Sequence, residues 1–303
     1  KAPVLPATTL ANGCYSTMFS RCSSLEEAPA LSAMTLKSDC YLSMFSNCSS
    51  LRKTPELPAT TLGDRCYYNM FNRCISLTEV PELPAAKMTA LCYAFMFANC
   101  ANLTTAPKSL PSKTLANSCY RGMFKNCAKL AEAPELPAET LTDYCYWEMF
   151  SGCASLKKAP YLPATEIKTW SYYQMFEYCS ALNYMEVELP SWNSVGNSTY
   201  GWVRNIAKNG AFIRPASLEG KYGISYIPEG WAAQGGVDDV LNVNDIFSSA
   251  GHIFIISSGN GTANIFNLGG QLIKSVFYEE GETDLGAFPA GVYVVNGRKV
   301  IVE

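Results

Sequence analysis

The motif Met-Phe-x-x-Cys returns seven times along the chain, at Met18-Phe19, Met44-Phe45, Met70-Phe71, Met96-Phe97, Met123-Phe124, Met149-Phe150 and Met175-Phe176. The period is 26 residues, with one 27-residue step where Lys108-Ser109 adds a position. Other columns keep the same register. One holds Tyr15, Tyr41, Tyr67, Tyr93, Tyr120, Tyr146 and Tyr172, another runs from Leu25 to Leu182, and a third runs from Pro3 to Pro160. A strict period of this length means that one small unit is repeated and stacked, because a single unit cannot bury enough apolar surface to fold alone.

Within one unit, Leu10, Cys14, Met18 and Cys22 lie four apart, flanked by Tyr15 and Phe19. That spacing predicts a short helix with one apolar stripe, with Thr8 and Thr9 as its caps. Ala28-Pro29 and Leu31-Ser32 (Leu-Pro in most copies) are too proline-rich for helix and read as an extended strand. The expected fold class is therefore an α/β repeat solenoid of leucine-rich-repeat type over residues 1–184, one short helix and one short strand per unit. Tyr15 and Phe19 are placed to make the contacts between units.

All thirteen cysteines lie on the repeat, in one column from Cys14 to Cys145 and another from Cys22 to Cys179. Two cysteines eight apart on a helix would be separated by about 12 Å, whereas a disulfide needs about 4.4–6.8 Å between Cα atoms. Zinc sites call for closely spaced pairs with matching partners, and the chain has a single histidine. A ladder of buried thiols, acting as small apolar groups and weak donors to carbonyls, is the favoured reading. Disulfides remain the usual alternative in an exported, cysteine-rich protein.

The stretch Met44-Phe45-Ser46-Asn47-Cys48-Ser49-Ser50-Leu51 resembles the signature of the BspA-like leucine-rich repeats of bacterial surface proteins. The resemblance covers residues 1–184 and departs from the family pattern in its second cysteine column and its Ala-Pro-x-Leu-Pro strand. It implies a curved solenoid exposed on the surface of a Bacteroidetes-type cell, adhering to host proteins. The chain opens in mid-repeat, since Lys1-Ala2-Pro3 matches Lys158-Ala159-Pro160. It is therefore expected to continue upstream, and the lack of an export signal carries no information.

Residues 185–236 read as a cap and linker. Trp192, Trp202 and Trp231, with Tyr200, Tyr222 and Tyr226, supply apolar area to shield the last repeat, and Ala232-Ala233-Gln234-Gly235-Gly236 reads as the linker. Residues 237–303 read as a small all-β, sandwich-like domain of hairpins. Its strands are seen at 252–256, 263–267, 271–277, 292–295 and 299–302, with turns at Asn260-Gly261, Gly269-Gly270, Gly281 and Asn296-Gly297. Ile265-Phe266-Asn267-Leu268-Gly269-Gly270-Gln271-Leu272, followed by Pro289-Ala290-Gly291-Val292-Tyr293, resembles the type A C-terminal sorting domain. That resemblance implies a partner in the type 9 secretion machinery and export to the outer surface or beyond.

Chemistry is hard to place on this chain. His252 sits in an apolar strand and reads as structural, so general-base and triad arrangements lack material. Ser258-Gly259-Asn260-Gly261 is in a hairpin rather than before a helix, which disfavours a phosphate loop. Asp238, Asp239, Asn242, Asn244 and Asp245 lack the pattern of a calcium loop. Paired acids such as Glu26-Glu27 become Arg52-Lys53 and Lys157-Lys158 in other units. No enzyme, cofactor or metal is expected. A net charge of −3 disfavours nucleic acid, and no apolar run spans a membrane, so any membrane association is peripheral.

One variable column runs Ser16, Leu42, Tyr68, Ala94, Arg121, Trp147, Tyr173. Large aromatics facing water are costly unless used. The candidate ligand surface is Tyr68, Trp147 and Tyr173, with Tyr161 and Tyr184 on the strand side of the same end. Packing against the tryptophan-rich cap is the competing explanation. The expected function is recognition or adhesion at the cell surface, with a host protein or glycan as partner. A structural spacer of the envelope, with no ligand of its own, is the alternative.

Overall fold

The computed structural model describes residues 2–192, 195–234, 243–258, 261–296 and 298–303. The chain forms two compact units. The first comprises Lys1–Leu182, Asn193–Ala207 and Ile224–Tyr226; the second comprises Asn183–Trp192, Lys208–Gly223 and Ile227–Glu303.

The first unit is a stack of 26-residue coils, and it corrects the expected fold class: no coil contains a helix. The only helical element among the described residues is a three-residue 3-10 turn at Val195–Asn197. Each Met-Phe segment is instead a chain of tight turns, which we call a rung. In the third rung the amides of Met70, Asn72 and Cys74 donate three residues back, to Tyr67, Asn69 and Phe71 at 3.0–3.1 Å. The amides between them, of Asn69, Phe71 and Arg73, cross to the carbonyls of Ala94, Met96 and Ala98 in the next rung at 2.9–3.0 Å. An α-helix would use every one of these donors internally and leave none for stacking.

The alternation depends on positive-φ residues spaced four apart in each rung, such as Arg65 (56°), Asn69 (54°) and Arg73 (62°). A strict four-residue spacing is itself at odds with 3.6 residues per helical turn. Side chains four apart drift by about 40° at each step, or roughly 120° from Leu10 to Cys22. In a row of turns the same spacing brings no such drift.

The expected strands are also reduced. Among the described residues, neighbouring coils pair there as isolated parallel bridges rather than as strands, as at Glu27↔Lys53, Thr35↔Thr61 and Thr140↔Glu166. The proline columns remove the amide donors that a continuous ladder would need.

Side chains inside the stack form ladders. Tyr41, Tyr67, Tyr93, Tyr120, Tyr146 and Tyr172 are buried. Successive tyrosine rings lie 5.5–6.0 Å apart, and the phenylalanine rings 5.5–5.8 Å. All thirteen cysteines are free thiols, eleven of them buried. The Sγ of Cys74 donates to the Phe45 carbonyl at 3.1 Å, an oxygen that also accepts the Cys48 amide at 3.1 Å. Cys48, Cys100, Cys127, Cys153 and Cys179 repeat the thiol bond at 3.0–3.2 Å. The thiol thus occupies a carbonyl that the turn leaves half satisfied. A thiol-specific reagent should modify exposed Cys22 quickly and half-buried Cys14 more slowly under native conditions. The other eleven should react only after denaturation; labelling of most thiols in the native chain would contradict this packing.

An eighth rung lies beyond the seven read from sequence. Tyr172, Gln174, Phe176 and Tyr178 donate to the carbonyls of Ser198, Tyr200, Trp202 and Arg204 at 2.9–3.0 Å. Trp202 is fully buried, 6.1 Å from the Tyr172 ring, and its indole N–H donates to the Tyr226 carbonyl at 2.9 Å. Residues 224–226 close this last rung, with the Ile224 carbonyl accepting the Val203 amide at 3.3 Å.

The second unit begins with three short parallel strands, β1 (Tyr184–Glu186), β2 (Ala211–Ile213) and β3 (Ala232–Gln234), in that order. The last takes residues that the sequence suggests as linker. The remaining strands are β4 (Val243–Ser249), β5 (His252–Ser257), β6 (Gly261–Asn267), β7 (Leu272–Tyr278), β8 (Gly281–Ala287), β9 (Gly291–Val295) and β10 (Arg298–Val302). They form two antiparallel sheets, ordered β10-β9-β6-β7 and β4-β5-β8. Alternate residues from both sheets, Ile253, Ile255, Ile265, Leu285, Val295 and Val300 among them, make one core. Gly235-Gly236, the Gly259-Asn260 and Gly297 turn positions, and Asp238, Asp239 and Asn242 lie outside the described residues.

Candidate functional site

The stacking rule determines which variable side chains meet. The amides of Ser43, Asn69, Phe95, Gly122, Glu148 and Gln174 donate to the carbonyls of Tyr68, Ala94, Arg121, Trp147, Tyr173 and Tyr200 at 2.7–3.0 Å. That ladder pins the variable column one residue above another along rungs three to eight.

Seven aromatics and two arginines follow one another on this face. Tyr68 meets Phe95 edge-on at 6.0 Å. The Arg121 guanidinium carbon lies 5.4 Å from the Phe95 ring centre and 3.6 Å from that of Trp147. Trp147 packs edge-to-face against Trp170 at 5.2 Å and Tyr173 at 5.4 Å, with Tyr144 at 5.6 Å. Trp170 stacks on Tyr173 at 4.6 Å and 12°, and Tyr173 on Tyr200 at 5.6 Å and 20°. Arg204 ends the series, 5.7 Å from the Tyr200 ring centre. Tyr68, Arg121, Trp147 and Tyr173 are half-buried, and Tyr200 is exposed. Gly122, at φ +57°, admits the Phe95 ring; a Cβ there would stand 2.3 Å from it.

The charges beside the rings are mostly neutralised. Lys125 pairs with Glu148 at 2.7 Å, and Arg204 with Glu177 at 2.9 Å. The Asp143 carboxylate accepts the Thr169 amide at 3.1 Å. Arg121 has no carboxylate partner among the described residues, and its Nε and the Trp147 indole N–H are buried without acceptors.

Of the residues singled out from sequence, Tyr68, Trp147 and Tyr173 share this stripe. Tyr161 does not. It is 46% exposed and lines a separate open groove of about 960 Å³ with Pro134, Leu136, Pro137, Pro160 and Pro163. Tyr184 belongs to the second unit, where its hydroxyl donates to Glu186 at 3.3 Å and burial pushes its pKa up to about 12. Sequence reasoning missed Tyr144, Trp170, Phe95 and Tyr200. The signal for the first two was their spacing of three residues before Trp147 and Tyr173, which the turn bonds turn into contact.

In the second unit, His252 Nδ1 lies 2.8 Å from Asp284 Oδ2, both side chains substantially exposed. The Gly286 amide, and then His252, hold the Asp284 carboxyl below its usual range. No group of three His, Cys, Asp or Glu side chains suited to a metal occurs among the described residues, and no helix there is long and apolar enough to cross a membrane. No protein-family model, curated protein or solved structure matches the chain.

Proposed function

We propose that the chain is a surface-exposed or secreted recognition protein that holds a macromolecular partner against the stripe from Tyr68 to Tyr200. The observation that carries this reading is the concentration of Trp, Tyr and Arg on one face of rungs that are otherwise almost uniform. Those three residue types dominate the energetics of protein interfaces, because they present large, stiff surface at little entropic cost. The rung architecture holds them rigidly, so little ordering is left to do on binding. The resemblance of the Met-Phe-x-x-Cys motif to bacterial surface proteins, and of the last strands to a sorting domain, supports a location outside the cell.

The test is a binding screen of the purified chain against immobilised matrix proteins, mucins and glycans, run beside the Trp147→Ala/Tyr173→Ala variant. The expected result is a saturable partner whose affinity falls about thirtyfold or more in the variant, while the variant still melts cooperatively. Equal binding by both chains, or a variant that no longer folds, returns the two rings to a packing role.

A further inference from the structure

We infer that the stripe selects a polypeptide partner through an Asp or Glu side chain seated on Arg121, an inference that rests on the recognition reading above. Two observations carry it.

First, the rings already engage one another. Arg121 lies over Trp147, Trp170 stacks on Tyr173, and Tyr200 meets both Tyr173 and Arg204. A sugar ring recognised by stacking needs a broad aromatic face free of other groups, and here Trp147, Trp170, Tyr173 and Tyr200 each have a face against a neighbouring ring or guanidinium. Ring edges carry the positive end of the aromatic quadrupole and favour carbonyl and carboxylate oxygens.

Second, one cation is left over. The rung of Arg121 has no acid, and in the two following rungs Glu148 is engaged by Lys125, Glu177 by Arg204 and Asp143 by the Thr169 amide. Of the two arginines in the stripe, Arg204 has a carboxylate partner and Arg121 has none among the described residues. The guanidinium is clamped between Phe95 and Trp147, so its planar fork is fixed before a ligand arrives. A fixed fork with no counter-ion, edged by apolar rings, fits a carboxylate on a short side chain with apolar neighbours on either side.

The experiment uses the whole chain and an immobilised peptide library with Asp or Glu at the centre and random flanks. The same library with Asn or Gln at the centre runs beside it, as do sialylated and uronate-bearing oligosaccharides. Wild type should prefer acid-centred over amide-centred peptides by roughly thirtyfold. Arg121→Gln, which keeps a planar stacking group, should erase that preference, and Arg121→Lys should retain part of it. Trp147→Ala/Tyr173→Ala should weaken both peptide sets. Equal binding of acid and amide peptides, still lost in the aromatic variant, overturns the role of Arg121 and leaves the recognition reading standing. Binding confined to the acidic oligosaccharides, or acid preference intact in Arg121→Gln, overturns the inference. Peptide binding that ignores both Arg121 and the aromatics overturns the inference and the recognition reading together.

Discussion

Raising the pH above about 9 should unfold the repeat stack, with a dependence on pH far steeper than an ordinary domain shows. The cause lies in the two cysteine columns. Burial pushes the thiols of Cys48 and Cys92 up to about 11, and those of Cys127, Cys145 and Cys179 up to about 12. Cys40, Cys66, Cys74, Cys100, Cys119 and Cys153 are raised by the same desolvation. An unfolded thiol ionises near pH 8.5.

Above that pH the unfolded chain releases protons that the folded chain keeps, so the folded state binds more protons and its stability falls as pH rises. The full contribution is present below about pH 8.5 and is lost progressively toward the folded values of about 11 and 12. Each thiol contributes on the order of 1 kcal/mol per pH unit in that window, and eleven together on the order of 10. That exceeds the margin of most domains within about one pH unit. The buried tyrosines, raised by the same burial, add to the slope above about pH 10. Urea unfolding in excess reductant at stepped pH reads the effect directly. A variant with Cys74, Cys100 and Cys127 replaced by alanine should show a shallower fall. Stability unchanged to about pH 10.5 would mean that these thiols are not buried as described.

Phe97→Ala should be among the most damaging single substitutions in the chain. Its ring is fully buried between Phe71 at 5.5 Å and Phe124 at 5.8 Å. The loss should be about 3–5 kcal/mol for the buried ring and the cavity left behind, with up to about 1 kcal/mol more for each stacked pair. Position in the stack matters as much as chemistry. In a one-dimensional array each rung is held by its two neighbours, so a defect in the middle uncouples the rungs on either side. Phe97→Ala is therefore expected to split the unfolding transition in two. Phe19→Ala, with a half-buried ring and one stacked neighbour at 5.5 Å, should cost less than half as much and leave a single transition. Equal losses at the two positions would contradict the ladder.

How much of this was legible in the residues follows from which signals were degenerate. The columns of Tyr, Phe, Met and Cys could be read outright, because a 26-residue period brings like residues together whatever the local backbone does. The local backbone could not. Leu10, Cys14, Met18 and Cys22 fit one helix face nearly as well as a row of turns, and only the strict four-residue spacing favoured the latter. The positive-φ positions left a faint trace in asparagines such as Asn47, Asn69, Asn99 and Asn126, which tolerate that conformation. The eighth rung was hidden because Ser198, Thr199 and Val203 stand where Cys, Tyr and Phe stood before, while Trp202 replaces Met. In the site, Trp147 and Tyr173 were visible as outliers in a column. The clamp on Arg121 was not, since it depends on Gly122 making room for Phe95, a contact between rungs that no single column displays.

Recognition confined to one face of the later rungs, as proposed, should show in an alanine scan along the variable column. Affinity for the partner found in the screen is measured for alanine variants at Ser16, Leu42, Tyr68, Arg121, Trp147, Tyr173 and Tyr200, each with its melting temperature. The predicted profile is flat at Ser16 and Leu42, rises through Tyr68 and Arg121, and peaks at Trp147 and Tyr173, with melting temperature failing to track it. A flat profile, or losses of affinity that simply follow losses of stability, would contradict the assignment of this stripe as the binding surface.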